Sequence, residues 1–398
     1  MKALIIGSGI AGPVTAMALQ RAGIGSTVYE AYPPIEPEAG SYLTITPNGL
    51  EALRHVEALD LAMSAGFPTR RNVLWNQAGR RLASLPLASR LPDAPPAHTM
   101  KRSRLALLLL EEANRRGIEV AHGRRLIDAR ITSDGRVTAI FNDGGTADGD
   151  LLVGCDGVHS AARRIIDPTA PIGRYLGLTN FGGVTRGAAD AFEPEAWHLI
   201  FGSRAFFGYQ ATPAGDVVWF ANVPRPLIAP DERAATSSDG WKQQLIELFS
   251  NDVGPAAGLI EAGELELTAD NTHDLGHIPT WHRGPLIIIG DAAHAPAPTS
   301  GQGASMAIED GIVLAHALRA GSTIPKAFKA YEEQRRERVE KIVAWGARGS
   351  GHKVPGPFGR FARDVILRLL FRYVITDKSL GWMYDYGINQ SSSYQARS

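Results

Sequence analysis

The sequence has few of the features that mark several common classes of protein. Its 398 residues include a single cysteine, Cys155, so we predict no intrachain disulfide, no cysteine-based metal cluster and a reducing compartment. The 41 basic residues balance the 41 acidic ones, and the net charge is zero. This balance argues against a nucleic-acid partner and fits a small-molecule enzyme. No uninterrupted apolar run reaches the length of about 18 residues that marks a membrane-spanning helix.

The sequence also lacks internal repeats, low-complexity tracts and a signal-peptide pattern. Met1 and Lys2 lead directly into a short apolar run, so we expect no signal peptide and a cytoplasmic protein. The 43 glycines and 25 prolines are spread along the chain, as is typical of a loop-rich α/β enzyme. The length predicts about two or three lobes, and we predict no metal site.

The first 30 residues predict a strand, a tight glycine turn and a helix. An apolar run at residues 3–6 precedes a glycine-rich motif, which opens a helical pattern. The motif consists of Gly7, Ser8, Gly9, Ile10, Ala11 and Gly12. In such a motif the first glycine permits the turn, the second lets the backbone approach a pyrophosphate, and the third lets helix and strand pack closely.

Glu30 ends the second predicted strand, at residues 26–29. It lies 18 positions after Gly12, close to the spacing of about 20 expected for a carboxylate that accepts hydrogen bonds from an adenosine ribose. The motif and the acid together predict a dinucleotide site. Because NAD and FAD share the adenosine diphosphate half, this unit does not decide between them.

Two later strands also end in acidic residues that could meet a ligand. One apolar strand leads to Asp156 and Gly157, and another leads to Gly290 and Asp291. Ligands of open α/β sheets bind outside the carboxyl ends of the strands, so Asp156 and Asp291 are candidate contacts. An ordinary Asp-Gly turn is the alternative for Asp156. The Pro/Gly-rich loop at residues 295–303 can cradle a flat ligand.

Residues 171–281 show short alternating segments that predict an antiparallel sheet rich in aromatic side chains. Strand periodicity assigns the residues to two faces: Phe207, Tyr209, Trp219 and Ala221 to one, and Phe206, Phe220 and Asn222 to the other. One face could border a pocket, or both could belong to the core. We therefore assign none of them to the site.

Three further features leave a functional and a structural interpretation open. Arg102 begins a predicted helix, where the helix dipole does not favour a cation, so it either has another negative partner or is a solvated surface residue. His294 follows the third acidic strand end, and a hydrogen-bonded structural histidine is the favoured interpretation. A basic amphipathic helix at residues 358–374 either packs on a neighbour or lies on a membrane surface, and we favour packing.

Three motifs, in this chain order, resemble those of the single-component FAD-dependent monooxygenases of the aromatic hydroxylase type. This group contains para-hydroxybenzoate and salicylate hydroxylases and the tetracycline-inactivating monooxygenases. The motifs are GSGIAG at 7–12, CDGVHSAAR at 155–163 and GDAAHAPAPTSGQGASMAIED at 290–310. The third is the most specific, and it separates FAD hydroxylases from NAD dehydrogenases. Ser305 departs from the family pattern, in which many members have Asn near the pyrimidine side of the flavin.

The resemblance covers almost the whole chain and implies an α/β fold. A Rossmann-like FAD-binding domain would be interleaved with a mainly antiparallel β-sheet substrate domain, followed by C-terminal helices. The FAD-binding domain would comprise residues 1–70, 100–170 and 282–350. The substrate-binding domain would comprise residues 71–99 and 171–281, and residues 351–398 would form the C-terminal helical segment.

The resemblance also implies the cofactor contacts. Glu30 would hold the adenosine ribose, Arg102 the diphosphate or ribityl region, and Leu126 the adenine through its backbone. Asp291, after Gly290, would bind the ribityl and pyrophosphate part. The isoalloxazine would be lined by Pro298, Gly301, Gln302 and Gly303. Asp156 and Gly157 are linked in the family to both FAD and NAD(P)H binding.

The implied reaction is a monooxygenation. NADH or NADPH would reduce noncovalently bound FAD, O₂ would add to form a flavin hydroperoxide, and one oxygen would pass to an aromatic or polyketide-like small molecule by hydroxylation or epoxidation. Because the cofactor carries the hard chemistry, we assign no catalytic acid or base. The substrate, the nucleotide preference and the oligomeric state stay open. An NAD-dependent dehydrogenase and a non-catalytic flavin- or drug-binding protein are the alternatives.

Overall fold

The protein is described here by a computed structural model that covers residues 1–34, 40–321, 323–349, 359, 362, 364–368, 370, 375 and 377–388. The strands, in chain order, are β1 (Lys2–Ile6), β2 (Gly25–Tyr29), β3 (Tyr42–Ile45), β4 (Gly66–Pro68), β5 (Arg71–Asn76), β6 (Arg81–Pro86), β7 (His98–Lys101), β8 (Glu119–Ala121), β9 (Leu126–Ile131), β10 (Val137–Phe141), β11 (Thr146–Gly149), β12 (Leu151–Gly154), β13 (Arg174–Thr185), β14 (Ala196–Phe201), β15 (Phe206–Ala211), β16 (Val217–Pro224), β17 (Glu264–Asp274), β18 (His282–Arg283) and β19 (Leu286–Ile288).

The helices alternate with the strands in the N-terminal half and follow them at the end of the chain. They are α1 (Ala11–Arg21), α2 (Pro47–Arg54), α3 (Leu59–Ser64), α4 (Arg102–Arg115), α5 (Ala161–Ile166), α6 (Pro230–Ala235), α7 (Ser238–Phe249), α8 (Ala256–Ala262), α9 (Gly303–Ala320), α10 (Ile324–Gly349) and α11 (Asp377–Tyr384). None of the helices in the described ranges is long and apolar enough to cross a membrane. The predicted α/β class is confirmed.

The first sheet has six strands in the order β18-β19-β12-β1-β2-β8. Its central strands β19, β12, β1 and β2 run parallel. The side chains of Leu4, Leu152 and Ile287 are fully buried, as expected for a parallel sheet that is covered on both faces. Because β1, β12 and β19 are parallel neighbours, the segments that follow them emerge at the same edge of the sheet. A small antiparallel sheet, β11-β10-β9, lies beside it.

The largest sheet has seven strands in the order β17-β13-β16-β15-β14-β5-β6. It is mainly antiparallel, with one parallel pair between β14 and β5. The first face predicted from the alternation packs in a core with Trp241 and Phe249 of α7. The second face holds half-buried Phe206, Phe220 and Asn222. The alternation predicted from the sequence is therefore confirmed.

A third sheet, β3-β7-β4, packs on the seven-stranded sheet. The indole Nε1 of Trp197 on β14 donates to the hydroxyl of Thr44 on β3 at 3.0 Å and to that of Thr99 on β7 at 3.1 Å. Tyr42 and Phe67 from this small sheet pack against Trp197 on the second face of the seven-stranded sheet. That face is therefore turned towards the small sheet, whose strand β3 leads to Thr46 beside Ser305 of α9. The residue boundaries of the two domains stay a prediction.

The C-terminal helix α11 packs against the segment that follows β6. Leu87 and Ala97 form a small apolar cluster with Leu380 and Met383 of α11. Most of the helix predicted at residues 358–374 lies outside the described residues, but residues 364–368 are helical. The carboxylate of Asp364 accepts a hydrogen bond from Asn76 Nδ2 of β5 at 2.6 Å. This contact places the helical residues against the seven-stranded sheet.

Candidate functional site

Three of the segments predicted to bind the cofactor meet at the carboxyl edge of the six-stranded sheet. The N–H of Gly7 donates to the Tyr29 carbonyl at 2.8 Å, which aligns the ends of β1 and β2. The N–H of Cys155 donates to the carbonyl of Ile6 at 2.8 Å, and the N–H of Ile289 donates to the carbonyl of Gly154 at 3.0 Å. The glycine motif, the Asp156 turn and the Asp291 turn are therefore neighbours, although they are far apart in sequence.

The glycine turn after β1 has the geometry that the motif predicts. Gly7 has a φ of 104°, and a Cβ there would lie 2.5 Å from the carbonyl oxygen of Cys155. A Cβ on Gly12 would lie 2.0 Å from the carbonyl oxygen of Gly7, so helix α1 and the turn touch at this point. A Cβ on Gly9 would meet no atom within 4 Å. The backbone at Gly9 therefore borders open space, next to the positive end of the helix that begins at Ala11.

Ile10 and Glu30 complete this end of the site. Ile10 occupies the N-cap position of α1, so the first N–H groups of the helix lack intrahelical partners. The Oε2 atom of Glu30 accepts hydrogen bonds from the N–H and the hydroxyl of Ser8, both at 2.8 Å. The Oε1 atom accepts from the N–H of Tyr32 at 2.9 Å. These bonds hold the carboxylate beside the glycine turn, and a carboxylate has further lone pairs for a ribose hydroxyl.

Leu126 lies close to Glu30. The N–H of Arg124 donates to the Glu30 carbonyl at 2.7 Å, and Leu126 begins β9 two residues later. The side chain of Leu126 is 4% exposed, so its backbone is the part that could face a base. The structure therefore brings the two residues predicted to hold the adenosine half together.

Asp291 and Arg102 form the other end of the candidate cofactor groove. Arg102 is the first residue of α4, and its side chain is exposed. Asp291 is half-buried, and its carboxylate makes no hydrogen bond or ion pair within the described residues. Burial raises the pKa of Asp291, and the nearby positive charge of Arg102 opposes this rise. A half-buried carboxylate without donors fits a site that receives ligand hydroxyls.

The loop that follows carries the residues predicted to line the flavin ring. Pro298 and Gly301 are exposed. Gly303 begins α9, and a Cβ there would lie 3.8 Å from the Oδ1 atom of Asp291. Gly290, where the turn begins, donates its N–H to Asp310 at 2.9 Å. The N-terminus of α9 and the Asp291 carboxylate therefore border the same space.

Gln302 differs from its neighbours because its side chain is fully buried. Its Nε2 atom donates to the hydroxyl of Thr46 at 2.9 Å, and its Oε1 atom accepts from Asn48 Nδ2 at 3.0 Å. Only the backbone of Gln302 therefore remains for a flavin. Ser305 is also fully buried, and its Oγ atom lies 2.8 Å from the Thr46 hydroxyl. The Ser305 side chain thus joins α9 to the start of α2.

The Asp156 carboxylate already accepts hydrogen bonds from donors within the protein. It accepts hydrogen bonds from the N–H of Ala161 at 2.7 Å and of Ala162 at 3.0 Å, and from the Ser160 hydroxyl at 2.5 Å. These donors stand at the start of α5, so Asp156 stabilises the helix N-terminus. Burial raises the pKa of Asp156, and these hydrogen bonds oppose the rise. Gly157 follows with a φ of 76°. The assignment of Asp156 and Gly157 to the cofactor stays a prediction.

A buried charged network beneath the loop was not predicted from the sequence. Glu309 accepts from Asn48 Nδ2 at 2.7 Å, lies 2.7 Å from Arg335 Nη1, and lies 2.9 Å from Arg338 Nη2. Arg338 also donates to the carbonyls of Trp382 and Met383 in α11. The sequence does show the Glu309-Asp310 pair on α9 and two arginines three positions apart on α10. It does not show that these acidic and basic residues pair with each other, because the two helices meet only in the folded chain.

The second face of the seven-stranded sheet forms an aromatic wall on the side of the small β3-β7-β4 sheet. Phe201, Phe206 and Phe220 are half-buried there. The Phe201 and Phe206 rings are 5.2 Å apart and nearly perpendicular, and the Phe206 and Phe220 rings are 6.1 Å apart. Lys101 Nζ lies 2.9 Å from Glu266 Oε1. This mostly buried ion pair joins β7 to the edge strand β17.

Comparison with known proteins assigns this arrangement to a family. Residues 1–346 match the family model described as FAD binding domain. The chain is similar to the FAD-dependent urate hydroxylase of Klebsiella pneumoniae subsp. pneumoniae, with 32% identity over 349 residues that cover 86% of this chain and 88% of the relative. It is also similar to the aurachin C monooxygenase/isomerase of Stigmatella aurantiaca, with 29% identity over 92% of this chain and 94% of the relative.

A solved structure has the same fold over the full length. It is Klebsiella pneumoniae HpxO complexed with FAD and uric acid, with a TM-score of 0.81 and 27% identity. The match covers 99% of this chain and 96% of that chain. The similarity therefore includes both the nucleotide-type sheet and the seven-stranded sheet.

Proposed function

The chain belongs to the FAD binding domain family, and on that premise we propose that it inserts one oxygen atom of O₂ into an aromatic or polyketide-like small molecule. Its cofactor is FAD and its class is FAD-dependent monooxygenase, as predicted from the three motifs. An NAD(P)H donor is typical of this family, and the dehydrogenase and binding-protein alternatives are not favoured.

One observation carries the proposal for the substrate. The second face of the seven-stranded sheet carries half-buried Phe206 and Phe220, and it packs on the small sheet whose strand β3 leads to the α9 residue Ser305. Large apolar side chains that are only half-buried on an inward-facing surface fit the wall of a ligand pocket. Aromatic rings favour stacked or edge-to-face contact with another ring. A planar aromatic substrate therefore fits this face.

The residues of the cofactor groove fit FAD in charge and in space. The open backbone at Gly9 and the N-terminus of α1 would accept the pyrophosphate, with Arg102 as a countercharge. Glu30 would accept the ribose hydroxyls, and Asp291 would accept the ribityl hydroxyls that satisfy its unpaired carboxylate. We propose that FAD is held in this way, without a covalent bond. When bound, FAD supplies the redox chemistry that activates O₂.

The contribution of the protein is to orient the substrate and to keep water away. The first N–H groups of α9, from Gly303 onwards, form a positive helix end that would stabilise negative charge on the flavin ring. The Pro298 loop on one side and the Phe206–Phe220 face on the other would exclude water from the reacting atoms. His294 is assigned no acid or base role, because its Nε2 atom is bonded to Asp310 and its Nδ1 atom is buried without a hydrogen-bond partner in the part of the chain that the structure describes. We propose a cytoplasmic location from the single cysteine.

A substrate panel tests the proposal. Phenols and polyketides are offered to the FAD-loaded protein with NADH or NADPH, and NAD(P)H oxidation is measured together with the product mass. We expect at least one aromatic compound to stimulate oxidation and to gain one oxygen atom. A yellow protein that oxidises no NAD(P)H with any compound would instead indicate a flavin-binding protein. A colourless one that cannot be loaded with FAD would contradict the cofactor site.

Phe220→Ala provides a sharper version of this test. The substitution removes the centre of the aromatic face, so the KM of an aromatic substrate should rise about tenfold or more while FAD affinity stays unchanged. The control is Leu227→Ala, which removes a side chain that is 52% exposed. Equal effects of the two substitutions would show that the face is not the substrate pocket.

A further inference from the structure

Two amide side chains stand at the edge of the aromatic face, on neighbouring strands. Asn180 of β13 and Asn222 of β16 are directly opposite each other in register. The Nδ2 of Asn222 donates to the Oδ1 of Asn180. Both side chains are half-buried, and they make no other side-chain hydrogen bond within the described residues. An amide pair held in this way is a polar feature on an otherwise aromatic wall.

The pair leaves one donor group and one acceptor group unused. An asparagine side chain has a carbonyl oxygen and an NH₂ group with two protons. When Asn222 donates to Asn180, the NH₂ of Asn180 and the carbonyl oxygen of Asn222 remain. Reversing the orientation of both amides exchanges these roles but leaves the same combination. The edge of the wall therefore offers a donor beside an acceptor in either case.

The adjoining surface is aromatic. Phe206 is directly opposite Asn222 across the β15–β16 pair, and Phe220 is opposite Gly208. A Cβ on Gly208 would lie 2.3 Å from the Phe220 ring, so the ring lies over the glycine against the sheet. A planar ligand that stacks on Phe220 would extend its edge towards the amide pair two residues along the same strand.

We infer that Asn180 and Asn222 recognise a lactam edge, in which an N–H is next to a C=O, on a planar aromatic heterocycle. A lactam carries one donor and one acceptor side by side, which complements the two groups that the pair leaves unused. The inference rests on the proposed function, because it names the substrate class of the same pocket. It makes the two asparagines specificity-determining residues, while the flavin side of the site performs the chemistry.

Binding to the oxidised FAD-loaded protein tests the inference without turnover. The probes are carbostyril, which is a bicyclic aromatic lactam, its N-methyl derivative and naphthalene, and binding is followed by quenching of flavin fluorescence. Carbostyril should bind at least about tenfold more tightly than either analogue, because the N-methyl derivative lacks the N–H donor and naphthalene lacks both the donor and the acceptor. Equal affinities for the three compounds, or no binding of carbostyril, would overturn the inference.

Variants connect the preference to the pair. In Asn222→Leu the affinity for carbostyril should become about equal to that for its N-methyl derivative. In the control Asn251→Leu, which changes an exposed residue, the ratio of the two affinities should stay unchanged. If Asn222→Leu does not fold, Asn222→Asp takes its place in the test. Aspartate has the size of asparagine but offers only acceptors, so the preference for carbostyril should again be lost. A preference that survives both Asn222 variants would overturn the inference. A failure of the proposed function is seen separately, as the absence of oxygenation across the whole panel.

Discussion

The Nε2 atom of His294 and the Oδ2 atom of Asp310 lie 2.5 Å apart beneath the turn that presents Asp291. The same carboxylate accepts from the N–H of Gly290 at 2.9 Å and from the Nε of Arg335 at 2.7 Å. Burial alone would raise the pKa of Asp310, but the charges of His294 and Arg335 outweigh it and lower the pKa to about 2. The favoured structural interpretation of His294 agrees with these contacts. The network holds the Gly290 turn in place.

Asp310→Asn should strongly destabilise the fold. The substitution leaves the guanidinium of Arg335, which is 0% exposed, with less negative charge, and breaking a buried ion pair costs about 3–5 kcal/mol. Urea unfolding followed by circular dichroism measures the loss. The control is Glu333→Gln in an exposed pair with Lys329, where a change below about 0.5 kcal/mol is expected. Similar losses in the two variants would contradict the buried role of the network.

The stability of the protein should fall as the pH drops below about 6.5, partly because of His198. Burial lowers the pKa of His198 from 6.5, and the charges of Arg71 and Arg81 lower it further while that of Glu193 opposes them. The unfolded chain therefore takes up the proton first. The stability is fully present above the unfolded pKa and is lost as the pH falls towards the folded one.

His198→Gln tests this pH dependence. Glutamine still offers an acceptor to the indole N–H of Trp75, which donates to His198 Nδ1 at 3.2 Å, but it cannot take up a proton. The slope of unfolding free energy against pH between about pH 5 and 7 should decrease by up to about 1.4 kcal/mol per pH unit. The pKa values of His55, His159 and His316 are also lowered, so part of the slope of unfolding free energy against pH should remain in this variant. An unchanged slope would exclude His198 as a contributor.

Gly9→Val and Gly12→Val should have opposite consequences for folding and binding. The side chain at Gly9 would enter open space, whereas a Cβ at Gly12 would lie 2.0 Å from the carbonyl oxygen of Gly7. We expect Gly9→Val to fold and to be colourless because the pyrophosphate cannot approach. We expect Gly12→Val to be destabilised. Absorbance at the flavin band and thermal unfolding measure the two effects, and a fully yellow Gly9→Val protein would refute the assignment of this loop.

Asp291→Ala should weaken FAD binding without harming the fold. A charge-assisted hydrogen bond to a ribityl hydroxyl contributes about 1.5–3 kcal/mol, so the affinity should fall roughly ten- to hundredfold. Because the carboxylate of Asp291 is half-buried and its pKa is raised by burial, the protein without FAD should be as stable as the parent or slightly more so. Fluorescence titration and urea unfolding measure the two quantities. An unchanged FAD affinity would show that Asp291 does not bind the cofactor and that the Gly290-Asp291 segment is only a turn.

Local patterns allow the nucleotide-binding unit and the faces of the large sheet to be predicted from the sequence. The Gly7 turn, helix α1 and Glu30 all lie within the first 30 residues, so their spacing along the sequence is enough to predict the nucleotide-binding unit. The two-residue period of strands assigns Phe207 and Trp219 to one face and Phe220 to the other, and the buried fractions agree. The choice between core and pocket is not local, because it depends on which surface covers each face.

Contacts between distant segments could not be predicted in the same way. Asn48 and Glu309 are 261 positions apart, and no local period connects them. Gln302 belongs to a loop motif, but its side chain turns inward because Asn48 and Thr46 offer it partners there. The parallel pairing of β14 with β5 also depends on how the chain crosses between sheets. Tertiary context decides these features.

Turnover under isotopically heavy O₂ tests the central claim most directly. The FAD-loaded protein is supplied with NAD(P)H and an aromatic compound that stimulates its oxidation, and the product is examined by mass spectrometry. The account predicts a product with one heavy oxygen atom derived from O₂ and none from water. A product that carries oxygen from water, or an oxidised product without added oxygen, would contradict the assignment of this protein as a monooxygenase.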